Sequence, residues 1–356
     1  MIKFKKSKQL VGLDIGSYSI KAVELKPKGK NKGFELSRIG YETLPHESII
    51  EGVIMDSTVV IDAINRLFER NNIKNNNIAL SLSGSGVIIK KISLPYLTPE
   101  ELEESILWEA KQHIAFPLDE VTIDYVILET PEAEEQRKMD VLIVAVKKEK
   151  INSYRSVITQ AGKNLEVIEV DAFALQNSLE ANYEDYRNWR IALINIGSDL
   201  TTINVIEKGF PIFVREFTMG GNYLTQNIQK EFNLNYDEAE QLKRGITVKE
   251  ISYSDAKPVI DANLKDLKEE IDKTFAFLDS QKIMKGKIEK IILSGGTAKL
   301  SGIADYFRDE FKIDIEILNP FRNIDYDPRK FDPFYTVEMA PLFGIALGSA
   351  LRKIGE

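Results

Sequence analysis

Leu13-Asp14-Ile15-Gly16-Ser17 lies near the start of the chain, and Ile194-Asn195-Ile196-Gly197-Ser198 repeats it near the middle. Each copy sits between two apolar runs of strand character: residues 10–13 and 20–25 around the first, 191–194 and 201–206 around the second. A glycine at such a turn lets the backbone fold tightly and present N–H groups to an anion. Two phosphate-cradling turns in one chain imply two related lobes closing on one polyphosphate. The copies differ at one chemically decisive place: the acid Asp14 becomes the amide Asn195.

A chain of 356 residues can bury a large core and is long enough for two domains. Its 43% hydrophobic and 29% charged content is that of a folded globular protein. A net charge of −8 argues against nucleic acid as a partner, because no strongly basic domain is present to neutralise phosphates. The cluster Lys3, Lys5, Lys6 and Lys8 reads either as a solvated tail or as a contact for an anionic membrane. With no cysteine there is no disulfide or thiolate chemistry, and two histidines, His46 and His113, cannot build a conventional zinc site. No apolar run reaches the roughly 18 residues of a spanning helix, and no secretory signal precedes Val11. The expected location is the cytoplasm.

Around the first turn the pattern gives a meander whose third strand covers residues 34–42, a loop at 26–33, a helix over 56–71 and a strand at 78–82. Residues 87 to about 167 read as a separate strand–helix–strand–strand–helix unit: strands at 87–93, 122–129 and 140–147, and helices after Thr98 and over 148–161. Thr98 is the expected N-cap, with Pro99 in the first turn and Glu101 completing a capping box. After a strand at 165–170 and a helix from Asp171 to about residue 183, the second meander runs through Phe217. Residues 220–286 are mostly helical, a strand at 290–293 leads into Ser294-Gly295-Gly296-Thr297, and residues 340–351 form an apolar helix rich in small residues. That helix is suited to close packing and too short to span a bilayer.

Asp14 ends an apolar strand beside a glycine turn. There it serves either as a turn residue or as the carboxylate that holds the water shell of Mg²⁺. Lys21 begins the returning strand, where an ammonium could meet phosphate oxygens; spacing alone leaves an exposed strand lysine equally open. Ser294-Gly295-Gly296-Thr297 follows a strand and precedes a helix, a context that suits either a nucleotide contact or a tight β–α turn. Gly220-Gly221 follows the strand 212–217 in the same way.

In their order along the chain these elements resemble the actin-like ATPase superfamily, which includes actin, heat-shock ATPases, sugar kinases and FtsA. The resemblance implies an α/β fold of two lobes, each with a mixed five-stranded ribonuclease-H-like sheet plus helices, binding ATP and Mg²⁺. It assigns Asp14, Gly16, Ser17, Tyr18, Ser19 and Lys21 to the first phosphate motif and Asn195, Gly197, Ser198 and Thr201 to the second. Gly220 and Gly221 accompany them, Gly295, Gly296 and Thr297 take the adenosine motif, and Glu240 with Lys243 sits on the helix that holds ribose and base. Asp171 falls where several relatives keep the acid that orients the attacking water, and Mg²⁺ would be held by Asp14 through water.

Within the superfamily the sequence is most similar to the PilM family of type IV pilus assembly. The phrases that carry this are Val11-Gly12-Leu13-Asp14-Ile15-Gly16-Ser17-Tyr18-Ser19-Ile20-Lys21-Ala22-Val23-Glu24 and Gly220-Gly221-Asn222-Tyr223-Leu224-Thr225. An α+β insert falls where PilM and FtsA carry one. The implied division is 1–86 first-lobe core, 87–164 insert, 165–190 first lobe, 191–219 second-lobe core, 220–287 helical nucleotide-contacting part, 288–325 second lobe and 326–356 return to the first lobe. The implied function is a cytoplasmic ATP-binding adaptor that takes the cytoplasmic N-terminal tail of the membrane protein PilN between first lobe and insert, together with other pilus assembly components. The end of the sequence at Leu351-Arg352-Lys353-Ile354-Gly355-Glu356 lacks the basic amphipathic helix by which FtsA grips the membrane, so association with the membrane is expected to be indirect. Ile88, Ile89 and Leu94 read equally as groove lining or as core. Asn195 adds no charge near a metal, and Asp199 on the turn could supply part of it, so hydrolysis is expected to be slow or absent. The alternatives are a small-molecule kinase of the same superfamily and an FtsA-like filament former.

Overall fold

The computed structural model describes residues 9–29, 33–128, 137–284 and 286–354. The basic run Lys3, Lys5, Lys6 and Lys8, positions 30–32 of the first loop, Glu129 with the charged loop at 130–136, and the final two residues lie outside the described residues.

Strands β1 (Val11–Ile15), β2 (Ser19–Pro27) and β3 (Phe34–Thr43) form an antiparallel meander. β1 is buried along its whole length, which is why it reads as an unbroken apolar run instead of an alternation. A short hairpin, β4 (Ile49–Ile50) and β5 (Val53–Ile54), leads into α1 (Ser57–Arg70). Asp56 caps α1 by accepting the Val59 N–H at 3.1 Å, and Val60, Ala63, Ile64, Leu67 and Phe68 bury one face of it. That helix supplies the crossover that lets β6 (Asn77–Leu82) lie parallel to β1. β10 (Asn164–Val170) adds in parallel beside β6, giving the order β10-β6-β1-β2-β3.

The second lobe repeats this order strand for strand. β11 (Arg190–Ile196), β12 (Thr201–Glu207) and β13 (Phe210–Phe217) are the meander, and β14 (Lys290–Ser294) and β15 (Asp314–Ile317) are the parallel pair, in the order β13-β12-β11-β14-β15. β15 is a four-residue edge strand reading Asp-Ile-Glu-Ile, too short to signal itself by pattern. Between β13 and β14 run α5 (Gly221–Phe232), α6 (Tyr236–Lys243) and α7 (Tyr253–Ser280). α8 (Ile303–Phe311) precedes β15.

The inserted unit is an antiparallel sheet of order β7-β9-β8, made of β7 (Val87–Pro95), β8 (Val121–Leu128) and β9 (Lys138–Lys147), with α2 (Pro99–His113) on one face. The Thr98 capping box is present: Glu101 N–H donates to Thr98 Oγ1 at 3.3 Å, and Thr98 N–H donates to Glu101 Oε2 at 2.8 Å. Leu102, Ile106 and Ala110 pack on Ile92, Val141, Ile143 and Ala145. α3 (Lys148–Gln160) continues directly from β9, but its Tyr154, Val157 and Ile158 join the first-lobe core.

The C-terminal stretch is not one helix. After α9 (Pro333–Met339) comes a 3-10 turn, Ala340–Phe343, and then α10 (Gly344–Ala350). The Pro341 carbonyl accepts the Gly295 N–H at 2.9 Å and the Ser294 hydroxyl at 3.0 Å, so tertiary bonds replace the helical ladder there. α10 is wholly buried, wedged between β1 and α4 (Asp171–Asn182). A Cβ on Gly12 would fall 1.9 Å from the Ala346 carbonyl oxygen, and one on Gly348 would fall 1.6 Å from that of Ala174. The small residues are the condition for that fit. Among the described residues no helix is long and apolar enough to cross a membrane.

Candidate functional site

Asp14, at the end of β1, is the register partner of Lys21 on β2, and its Oδ2 lies 3.1 Å from the Lys21 ammonium. The turn between them closes with Gly16 N–H donating to the Ser19 carbonyl at 3.1 Å. In the second lobe Gly197 N–H donates to the Leu200 carbonyl at 2.9 Å, and Asn195 pairs with Thr202 in register. The two turns therefore correspond residue for residue in register. Asn195 stands where Asp14 stands, and Thr202 stands where Lys21 stands.

The second turn is buttressed from behind. Gly221 and Asn222 N–H groups, at the start of α5, donate to the carbonyls of Gly197 and Ser198 at 2.9 and 2.8 Å, and the Thr297 hydroxyl donates to Gly197 at 2.8 Å. A Cβ on Gly220 would lie 2.5 Å from the Ser198 carbonyl oxygen. Gly295 adopts φ +91°, and a Cβ there would lie 2.3 Å from the Ile196 carbonyl oxygen. A Cβ on Gly296, by contrast, would meet nothing within 4 Å and would project into open space. The Ser198 hydroxyl is buried with no hydrogen-bond partner among the described residues.

Both turns, the Gly295-Gly296-Thr297 turn, α6 and the C-terminal return line one cleft of about 790 Å³ between the lobes. Its volume lies within the range of small-molecule and cofactor sites. Every residue the sequence assigns to the site lines it except Thr201 and Gly220. Thr201 is buried and donates its hydroxyl to the Met219 carbonyl at 2.6 Å, and Gly220 supports the second turn from behind.

Glu240 and Lys243 form the hub of α6. Glu240 accepts from the Thr225 hydroxyl, from Lys243 and from Arg244, and Lys243 also donates to the Gly221 carbonyl at 3.1 Å and to Thr225 Oγ1 at 2.8 Å. Burial pushes the Lys243 ammonium below its usual pKa, with Glu240 opposing the shift. Asp171, the first residue of α4, sits in the cleft wall. Burial raises its carboxyl above the usual range, the Asp14 charge adds to the rise, and the Ser81 and Ser83 hydroxyls and Lys150 pull it back.

A family model described as type IV pilus assembly protein PilM matches residues 12–354. The chain belongs to the PilM family. A solved structure described as a PilM-PilN type IV pilus biogenesis complex is 28% identical, with a TM-score of 0.87 over 98% of this chain and 99% of that one. The cell division protein FtsA of Bacillus subtilis (strain 168) is 21% identical over 87% of this chain and 78% of its own length. MreB 5 of Spiroplasma citri, solved bound to AMPPNP, is 14% identical with a TM-score of 0.51, over 97% of this chain and 96% of that one. The two-lobed architecture is the actin-like ATPase fold.

For this PilM-family chain several cleft residues carry no sequence signal. Arg244 donates to the Tyr18 hydroxyl at 2.6 Å, and its guanidinium carbon lies 5.2 Å from the centre of that ring, closing the cleft from lobe to lobe. Outside the cleft lining, the rings of His46 and Tyr236 meet at a tilt of 37° with centroids 3.9 Å apart. Glu338 and Met339 reach the cleft because the chain returns to it at its end, and Lys299, which closes the 3-10 turn after Gly295, lies 3.4 Å from Glu338 there. Asp199 lines the cleft, and its carboxylate accepts the Glu51 N–H at 3.1 Å and the Asn222 amide at 2.5 Å. Leu94 belongs to the core of the insert, Ile88 packs partly against that core, and Ile89 packs against the first lobe.

Proposed function

We propose that this PilM-family chain is an ATP-binding adaptor of type IV pilus assembly that hydrolyses ATP slowly or not at all. The observation that carries the reading is the pair of matching turns, one from each lobe, opening into one cleft with a glycine turn at its third side. Several features fit a polyphosphate there. The orphaned Ser198 hydroxyl needs a partner, Lys21 supplies a positive charge, and Gly296 leaves room that any side chain would fill.

Mg²⁺, when bound with ATP, neutralises phosphate charge. Among the described residues no three His, Cys, Asp or Glu side chains gather to hold a metal directly, so Asp14 would hold the ion through its water shell. Asn195 and Thr202 remove a carboxylate and a cation from the second turn, and that lopsided charge is the argument for slow turnover. We assign to Asp171, whose carboxyl is raised above the usual range by burial and by the Asp14 charge, the role of orienting the attacking water.

The partner follows from the solved PilM-PilN complex at 28% identity. We assign to this chain the same partner class, the cytoplasmic N-terminal tail of PilN, which would bring it to the inner face of the cytoplasmic membrane. A short tail docks by apolar anchors or strand addition. The test is to purify the chain, identify any bound nucleotide, and measure binding of a PilN N-terminal peptide to wild type and Asp14→Ala. Bound ATP, with peptide affinity lowered in the variant, supports the reading. An absence of nucleotide binding at millimolar ATP with Mg²⁺ ends it.

A further inference from the structure

Behind the cleft lies a second cavity of about 480 Å³, and the wall between the two includes Ser83, Asp171, Leu200 and Thr202. Glu216, on β13, lines the second cavity. Its Oε2 accepts the hydroxyl of Thr202, its neighbour in register on β12, at 3.2 Å, and its Oε1 accepts the backbone N–H of Gly84 at 2.6 Å. Thr202 belongs to the second lobe, whereas Gly84 belongs to the loop by which the chain leaves β6 and enters the insert.

That loop is tied to the exit from the insert as well. Gly86 accepts the Lys147 N–H at 2.9 Å, and the buried Lys150 ammonium donates to the Ser85 carbonyl at 3.1 Å and the Gly52 carbonyl at 2.7 Å. Gly84 and Gly86 have φ of +80° and +94°, and a Cβ on Gly84 would lie 2.3 Å from the Glu51 carbonyl oxygen, so the loop requires glycine and is held closely in place. A displacement of Gly84 is thereby passed to both connections of the insert at once.

We infer that Glu216 is a positioning residue that sets the insert against the second lobe according to what occupies the cleft, with Thr202 as its sensor. This rests on reading the cleft as a nucleotide site. A hydroxyl has one proton to give. When a phosphate oxygen accepts the Thr202 hydrogen bond instead, Glu216 loses one of its two donors and the Gly84 N–H is left as the other, which tightens that bond.

Amide exchange at Gly84, followed on the full chain with and without ATP and Mg²⁺, reads this directly, while a fluorescent ATP analogue reports binding separately. Glu216→Ala should speed Gly84 exchange without nucleotide by at least about tenfold, and Glu216→Gln, which keeps an acceptor, should restore it to within about threefold. In wild type, ATP should slow Gly84 exchange. In Thr202→Val the exchange should already be slow and ATP should add nothing. Unchanged exchange in Glu216→Ala overturns the Glu216–Gly84 tie, and an undiminished ATP effect in Thr202→Val overturns the sensor. Failure of the analogue to bind wild type overturns the reading of the cleft and the coupling with it, while the exchange measured without nucleotide still decides the tie. If Glu216→Ala does not fold, Glu216→Gln and Thr202→Val carry the test.

Discussion

Asp14 and Lys21 meet at 3.1 Å across the first hairpin, and the two places that correspond to them in the second hairpin hold Asn195 and Thr202. One half of a duplicated cradle has kept an acid–base pair and the other has neutral side chains. An amide still accepts a hydrogen bond from metal-bound water, but it does not help to deprotonate or orient that water through charge. Wild-type turnover should therefore fall below the roughly 1 per second that marks the lower end for kinases. Asn195→Asp should raise Mg²⁺-dependent phosphate release at least about tenfold, a change worth about 1.4 kcal/mol in barrier. Turnover of wild type within the ordinary kinase range would sink the holder reading.

The same pair sets the metal dependence of binding. Asp14→Ala removes the carboxylate that holds the water shell and leaves Lys21 free to meet phosphate. ATP affinity measured with Mg²⁺ should drop about tenfold or more, whereas affinity measured in a chelator should change little or improve. Titration of a fluorescent ATP analogue in both conditions separates these. Equal losses with and without Mg²⁺ would mean that Asp14 only shapes the turn.

What the sequence could and could not reveal follows the range of each interaction. The glycine turns and the Thr98 capping box are local, and each was legible from neighbours within a few positions. The meander around each turn was legible too, whereas the five-stranded sheets came only with the resemblance and β15 carried no pattern of its own. Arg244 contacts Tyr18 across a sequence separation of 226, and Gly84 contacts Glu216 across 132, so nothing in the linear pattern joins them. Lys150 looks like one more charge in Lys147-Lys148-Glu149-Lys150 until the fold buries it against two carbonyls. The 3-10 turn at Ala340–Phe343 depends on bonds from Ser294 and Gly295 that only the closed fold supplies.

Two glycine-to-alanine substitutions should behave oppositely. Gly348→Ala would place its methyl group 1.6 Å from the Ala174 carbonyl oxygen, a backbone atom that cannot rotate away. Overpacking against rigid backbone should cost about 3 kcal/mol, visible in urea unfolding, and should lower nucleotide binding only through loss of folded protein. Gly296→Ala meets nothing within 4 Å, so stability should stay within about 0.5 kcal/mol of wild type while the methyl group takes up cleft space and nucleotide affinity falls. Unaltered ATP binding by Gly296→Ala would remove this turn from the site.

Glu216 should leave a mark on the pH dependence of stability. Burial, followed by repulsion from Asp171, raises its carboxyl from the ordinary 4.5 to about 7, while the Gly84 N–H, the Thr202 hydroxyl and Lys150 oppose the shift. Between those two values the folded chain holds a proton that the unfolded chain has already lost. Stability linked to this group is thus fully present below about pH 4.5 and is lost as pH rises through 7. Glu216→Gln cannot titrate, so the decline in unfolding midpoint from pH 5 to 7.5 should be shallower than in wild type. It should not vanish, because burial also raises Glu169 to about 7, against the opposing charge of Arg352. Denaturation midpoints at half-unit intervals across that window measure the difference. Parallel curves for the two proteins would show that Glu216 is ionised throughout that window.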